Sequence, residues 1–287
     1  MDKIAIAVIG GSGVYQIEAL QDVRQIDVTT PYGPPSDSII IGTLEGVKLA
    51  FLPRHGKGHR ILPTEVNYRA NIYALKKIGV ERIISVSACG SMRDDYAPRD
   101  IVVPDQIFDF TKLRKHTFFG DGIVTHVSFA EPFCPELSDL LFEAVKKTGT
   151  TVHKGGTFLV IEGPRFSTKG ESKIYRQWDV DVIGMTAMPE AILAREAEIC
   201  YATMAHVTDY DVWHESEETV SIEMLIDNLK ANTEISKQAI SNIIPTITQQ
   251  RDCDCATALK NAIFTSHDQI SENRKKELNI LVDKYLG

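Results

Sequence analysis

The chain has 287 residues, 43% hydrophobic and 24% charged, with a formal net charge of −8. That composition is ordinary for a globular protein, and the acidic balance argues against general nucleic-acid binding, which needs a basic footprint. The first apolar run, Ile4 to Ile9, is too short for a signal-peptide core, and no stretch approaches the roughly 20 apolar residues that cross a bilayer, so the chain reads as cytoplasmic.

In chain order, "KIAIAVIGGSGVY" (3–15) predicts a buried strand closed by a glycine turn, and "VKLAFLP" (47–53) and "RIISVSACGS" (82–91) read the same way. Between the last two, "TEVNYRANIYALKKIG" (64–79) predicts a helix with Thr64 as N-cap, lysines in its last turn and Gly79 as its stop. "DIVVPDQIFDF" (100–110) and "GTFLVIEGPRFS" (156–167) are strand-to-loop units. "PELSDLLFEAVKKTG" (135–149) is a helix with Pro135 at its first position and Gly149 past its end. A further helix starts at Pro189, and "ICYATMAHV" (199–207) is a strand. From Glu217 to the end the chain reads as mostly helical, with a stop at Pro245. The alternation predicts one α/β domain over 1–287, built on a mixed sheet flanked by helices, with a helical C-terminal part over about 217–287. In such sheets ligands bind beyond the carboxyl ends of strands.

Four of those strand ends carry small or hydroxyl residues. "IGGSGVY" offers Ser12 and successive backbone N–H groups, an anion nest. It is not a dinucleotide fingerprint, because Gln16 stands where the third glycine would fall, and it lacks the GK[ST] ending of a phosphate loop. "PRHGKGHR" (53–60) packs Arg54, Lys57, Arg60, His55 and His59 into eight residues. In an acidic chain that concentration marks an anion site, with Arg54 as the fork-shaped donor, or else a solvated loop. The His55-xxx-His59 spacing suits a zinc pair only on a helix, which the two flanking glycines oppose. "SVSACGS" contributes Ser87 where bulk is absent, and "IGMTAMPE" contributes Thr186 just before a helix N-terminus. Together these segments predict a convergent phosphate site.

"HVTDYDVWHE" (206–215) sets Asp209 and Asp211 one residue apart among apolar neighbours, projecting to the same side if the strand continues. A metal would want further oxygen ligands nearby, and a surface turn fits poorly with Val207, Tyr210 and Trp213. A purine suits the pair: N7 needs a protonated acid, and a 6-amino group needs a carboxylate. Like-charge repulsion in a desolvated pocket favours such a split titration. The five cysteines (Cys89, Cys134, Cys200, Cys253, Cys255) are too few and scattered for a disulfide framework. The thiols of Cys253-Asp-Cys255 alone make a poor zinc site, and a strained local disulfide is the other reading.

The segments "IGGSG", "TPYGPPSD", "RHGKGH", "NYRANIYALK", "SACGSMR", "AEPFCP", "IEGPRFST", "MTAMPE" and "TDYDVW", in order from about residue 5 to about 245, resemble the nucleoside phosphorylase family. Within it the resemblance is to members acting on 5′-methylthioadenosine. It implies phosphorolysis of that nucleoside to adenine and 5-methylthioribose 1-phosphate, with adenosine as a secondary substrate. By the family pattern Ser12, Arg54, His55, Ser87, Ala88 and Thr186 would hold phosphate; Ser12 and Ser87 stand where many relatives have threonine. Met185 would lie against the ribose and Phe166 against the base. Asp209 and Asp211 would meet the N7 and 6-amino edge, with Asp209 as the catalytic acid. Ser167, Ile222, Leu225 and His126 would set specificity, the last reaching from a neighbouring subunit. The family commonly assembles as trimers, so a homotrimer or dimer of trimers is expected. Phosphate is a co-substrate; no metal or organic cofactor is implied, and neither nucleic acid nor membrane is an expected partner. A 6-oxopurine phosphorylase would want an amide in place of Asp211. A nucleosidase using water has no need of Arg54 and His55, and a nucleoside sensor has no use for phosphate.

Overall fold

A computed structural model describes residues 4–11, 14, 17–214, 222–248 and 250–286; within 222–229 only the side chain of Asn228 is described. The described strands are β1 (Ile6–Gly10), β2 (Gln21–Ile26), β3 (Ile39–Leu44), β4 (Val47–Pro53), β5 (Arg82–Ser91), β6 (Ile101–Val103), β7 (Gln106–Phe110), β8 (Val152–Lys154), β9 (Thr157–Ile161), β10 (Val182–Gly184) and β11 (Cys200–Asp209). The helices are α1 (Tyr68–Lys77), α2 (Pro135–Lys146), α3 (Lys169–Gln177), α4 (Ala187–Glu196), α5 (Ile222–Ile243), α6 (Glu272–Glu277) and α7 (Asn279–Leu286).

One mixed sheet joins all the described strands, in the order β2-β3-β4-β1-β5-β10-β9-β7, with β11, β6 and β8 branching from β5. The branch arises because β5 is long enough to serve three partners. Its first residues pair in parallel with β1, most of its length pairs in parallel with β11, and its end (Gly90, Ser91) pairs antiparallel with β10. Both faces of the central strands β1 and β11 are buried, and the period-2 alternation of β1 shows how. Ala7 and Ile9 join a core with Ile72 of α1 and Leu193 of α4. Ile6 and Val8 join the opposite core with Leu141 of α2 and Ile240 of α5. Fully burying each such aliphatic side chain contributes about 1.5–3 kcal/mol, which is why these strands read as continuous apolar runs.

Several expectations shift in detail. The N-cap of α1 is Asn67, not Thr64: its side chain accepts from the N–H of Ala70, while residues up to Val66 form a separate turn bonded to the Leu62 carbonyl. Gly79 follows the end of α1 with φ +98°, the left-handed conformation expected of a helix stop. "DIVVPDQIFDF" divides into β6 and β7 at Pro104-Asp105. Between Ile244 and Ser271 the described residues include short 3₁₀ turns instead of the expected helix, and helix resumes at Glu272. The sequence reading missed β2 and β3; β2 is largely exposed and carries no apolar run. Among the described residues no helix is long and apolar enough to cross a membrane.

Candidate active site

The carboxyl ends of β1, β4, β5, β10 and β11 open onto a cavity of about 470 Å³. Its lining includes Gly11, Arg54, His55, Ser87, Ala88, Phe166, Ser167, Met185, Thr186, Asp209 and Asp211. Segments far apart in sequence thus meet where the sequence analysis expected them to. Ser12 lies outside the described residues, as do the side chains of Ile222 and Leu225. His126 does not line this cavity; it borders a second one with Arg195, Asp254 and Lys260.

The hydroxyls of Ser87 and Thr186 lie 2.5 Å apart, one from β5 and one from the segment leading into α4. Thr186 precedes α4, whose backbone is non-helical at Met188 and Pro189, so the regular helix begins after Pro189 and the Thr186 hydroxyl makes no bond to it. Arg54 is almost wholly buried, and its guanidinium is committed in a way the sequence did not disclose. Nε and Nη2 grip the carboxylate of Glu190, with Nη2 2.9 Å from Oε2, and Nη2 and Nη1 also donate to Ser85 Oγ (2.7 Å) and the Val86 carbonyl (3.0 Å). Burial works against the Arg54 charge, but the Glu190 carboxylate outweighs it and holds the pKa above its usual value. Glu190, fully buried, also accepts from the Tyr201 hydroxyl at 3.0 Å. The pair braces β4 against α4.

His55 pairs through Nδ1 with the carbonyl of Ile61 at 2.9 Å, which makes Nδ1 the proton-bearing nitrogen. Burial, reinforced by the Arg54 charge, lowers its pKa to about 4, so its ring is neutral near pH 7. The His55-xxx-His59 stretch is turn, as its glycines required, and the two rings stack 4.4 Å apart.

Asp209 ends β11 and is buried; its Oδ2 accepts from Thr208 Oγ1 at 2.7 Å and its Oδ1 from the N–H of Asp211 at 2.8 Å. The strand does not continue to Asp211, which sits in a left-handed turn with φ +50°. Both residues line the cavity even so. Asp211 Oδ2 accepts from Ser172 Oγ on α3 at 2.6 Å. Burial raises the pKa of Asp211, and the Ser172 hydroxyl offsets part of that rise. Gly90 faces the pair: a Cβ there would stand 3.0 Å from Asp209 Oδ1 and 3.2 Å from the Asp211 backbone N. That glycine makes room for the acids and also lines the cavity, beside Ala88, the exposed residue of "SACGS".

Phe166 is 57% exposed at the cavity wall, whereas Ser167 beside it is buried with a hydroxyl that has no hydrogen-bond partner among the described residues. Arg114, which sequence reasoning missed, donates to the carbonyls of Glu162 (2.7 Å) and Met185 (2.7 Å), tying the loop after β9 to the loop before α4. Nothing local singles it out, since it stands between Lys112 and Lys115 in a basic stretch.

Residues 5–246 match the sequence profile of the Phosphorylase superfamily. The chain belongs to that family. Among phosphorylases of known sequence, the S-methyl-5′-thioadenosine phosphorylase of Geobacter sulfurreducens is 54% identical over 98% of this chain and 99% of its own length. The crystal structure of a methylthioadenosine phosphorylase from an antarctic soil metagenomic library superposes with a TM-score of 0.95 at 49% identity, covering 98% of this chain and 100% of that one. A variant of the adenosine/methylthioadenosine phosphorylase of Schistosoma mansoni, solved with methylthioadenosine, superposes with a TM-score of 0.83 at 35% identity, over 90% of this chain and 96% of that one. The mixed sheet described above is therefore a phosphorylase sheet, and the cavity lies at its strand ends.

Proposed function

We propose that the protein catalyses phosphorolysis of 5′-methylthioadenosine, giving adenine and 5-methylthioribose 1-phosphate. The observation that carries this reading is the meeting, in one cavity, of a hydroxyl, arginine and histidine set with a pair of buried aspartates. In this reading Ser87, Thr186, Arg54, His55 and Ala88 hold phosphate, with Ser12 from the glycine turn. One phosphate oxygen attacks C1′, the C1′–N9 bond breaks, and its electron pair passes to the purine. Asp209, in its acid form, gives a proton to N7, which neutralises the leaving base. Asp211 accepts from the 6-amino group while Ser172 holds its other oxygen. Met185 packs against the ribose and Phe166 closes over the base. The orphan hydroxyl of Ser167, which costs free energy while unpaired, finds its partner on the nucleoside.

Ile222 and Leu225 form an apolar wall for the methylthio group, and a 5′-hydroxyl buried against it would lack a partner, at a cost of roughly 1–3 kcal/mol. Adenosine is then the secondary substrate. His126 serves the cavity of a neighbouring subunit in a trimer. The exposed Phe264 and Val124, the first of them in edge contact with the His126 ring, support an interface there. Cytoplasmic placement completes the reading.

An activity screen over methylthioadenosine, adenosine, inosine and guanosine, each with and without phosphate, tests the proposal. Phosphate-dependent release of adenine, fastest from methylthioadenosine, is the expected result. Release that ignores phosphate would make the protein a nucleosidase, and no turnover with tight binding would make it a sensor. A monomer by light scattering, with full activity, would remove His126 from the site.

A further inference from the structure

The four cysteines at 134, 200, 253 and 255 come together away from the cavity, none of them among its lining residues. All four Sγ atoms lie within 4.8 Å of one another. Cys134, Cys200 and Cys255 are buried, and Cys253 is half-buried. We propose that this cluster is a structural zinc site, a tetrathiolate built from Cys134, Cys200, Cys253 and Cys255.

The sequence presented Cys253-Asp-Cys255 as two thiols without companions. The fold supplies the other two from the start of β11 and from the residue before α2. Zinc prefers four ligands in a tetrahedron with Zn–S near 2.3 Å, which sets neighbouring sulfurs about 3.8 Å apart. The Cys200 and Cys253 sulfurs are 3.4 Å apart, far beyond the roughly 2.0 Å of a disulfide, and the mutual spacing of all four is that of a ligand shell rather than two bonded pairs. An all-sulfur tetrahedral set selects a thiophilic metal over magnesium or calcium.

The ligands are held before any metal arrives. The Cys134 N–H donates to the Tyr201 carbonyl at 2.8 Å, and the Cys200 N–H to the Glu81 carbonyl at 2.9 Å. Cys134 caps α2 but makes no side-chain bond to it, which leaves its sulfur for the cluster. On the other side, the Asp252 N–H donates to Glu136 Oε2 (3.1 Å), Arg251 Nη1 to the Glu198 carbonyl (2.9 Å), and Arg82 Nη2 to the Gln250 carbonyl (2.8 Å). Binding releases four thiol protons and leaves a net charge of −2 on the centre. The α2 N-terminus offsets part of that charge, and so does Arg195, whose Nη1 lies 3.8 Å from Cys255 Sγ. Such donors are the outer shell a metal–thiolate site needs. The ion would pin the turn that carries Cys253 and Cys255 to the root of β11, the strand that ends at Asp209. Its role is to stabilise the fold, and the chemistry in the cavity proceeds without it.

The test is elemental analysis of the full chain purified without added metal, paired with intact mass after denaturation in a thiol-alkylating reagent. About one zinc per chain and five alkylated cysteines are expected. Cobalt substitution should give the thiolate charge-transfer and tetrahedral ligand-field bands of a sulfur site. Cys253→Ser should lose the zinc and lower Tm by about 5–10 °C with kcat for methylthioadenosine unchanged. Two disulfides, seen as four missing alkylations without zinc, would overturn the proposal, as would four free thiols with no metal. Because the wild-type measurements need no variant, the inference stands or falls even if Cys253→Ser fails to fold.

Discussion

The backbone N–H of Asp211 donates to Oδ1 of Asp209 at 2.8 Å. The second acid of the pair therefore holds the first through its main chain, and its own carboxyl is turned to Ser172. This arrangement separates the fold of the pair from its chemistry. In Asp209→Asn the amide oxygen still accepts from the Asp211 N–H, so the turn survives, but the side chain has no acidic proton to deliver. Turnover of methylthioadenosine should fall by about 10²–10⁴-fold, with the nucleoside KM changing far less. Near-normal kcat in a variant with an unchanged circular dichroism spectrum would assign the acid to another group.

Asp211→Asn tests which edge of the base that residue reads. Asparagine tolerates the left-handed φ at this position as well as aspartate does, and its amide can keep the Ser172 contact. Its NH₂ can donate to a 6-oxo group, so the ratio of activity on methylthioadenosine to activity on inosine should fall. A ratio equal to that of the parent would show that Asp211 does not face position 6.

These two residues also show where the sequence was legible. Asp209 and Asp211 were visible because two acids amid apolar residues demand a reason, and strand-end hydroxyls such as Ser87 and Thr186 were visible because ligands bind at strand ends. Ser172 and Glu190 were not, since each sits in a helix and only tertiary packing brings it to its partner. Asn67 displaced Thr64 as a cap because the preceding turn consumes Thr64, a competition that local propensity does not record. The cysteines failed for the same reason as Glu190: their spacing of 66 residues between Cys134 and Cys200 carries no signal until β11 and α2 are placed side by side.

The grip of Arg54 on Glu190 gives the arginine a structural role beside its expected contact with phosphate. Arg54→Met leaves a fully buried carboxylate without its partner, a change that costs about 3–5 kcal/mol. The single variant should lose Tm and raise the phosphate KM. Adding Glu190→Gln removes the stranded charge, so the double variant should recover most of the lost Tm while the phosphate KM stays high. If both quantities recover together, Arg54 acts on phosphate only by bracing the fold.

His55 and His206 both have pKa values lowered to about 4 in the folded chain, His55 by burial and the Arg54 charge, His206 by burial beside Ser236. An unfolded histidine titrates near 6.5. Above that value both states are neutral and neither residue imposes a pH dependence. As the pH falls from about 6.5 to about 4, the unfolded chain takes up protons that the folded chain refuses, so each histidine withdraws about 1.4 kcal/mol of stability per pH unit. Below about 4 the folded chain is protonated too, and the loss from these residues stops growing. The contribution is read as the difference in slope between parent and variant, because carboxylates titrate in both. His206→Gln should flatten the plot of unfolding free energy against pH across that window, by one proton's worth. Phosphate separates the two residues further. If the anion lies against Nε2 of His55, it favours the imidazolium and raises that pKa, so saturating phosphate should remove the His55 share of the slope and leave the His206 share. A His206→Gln slope equal to the parent's would show that His206 titrates normally, and a phosphate-independent slope in that variant would move His55 away from the anion.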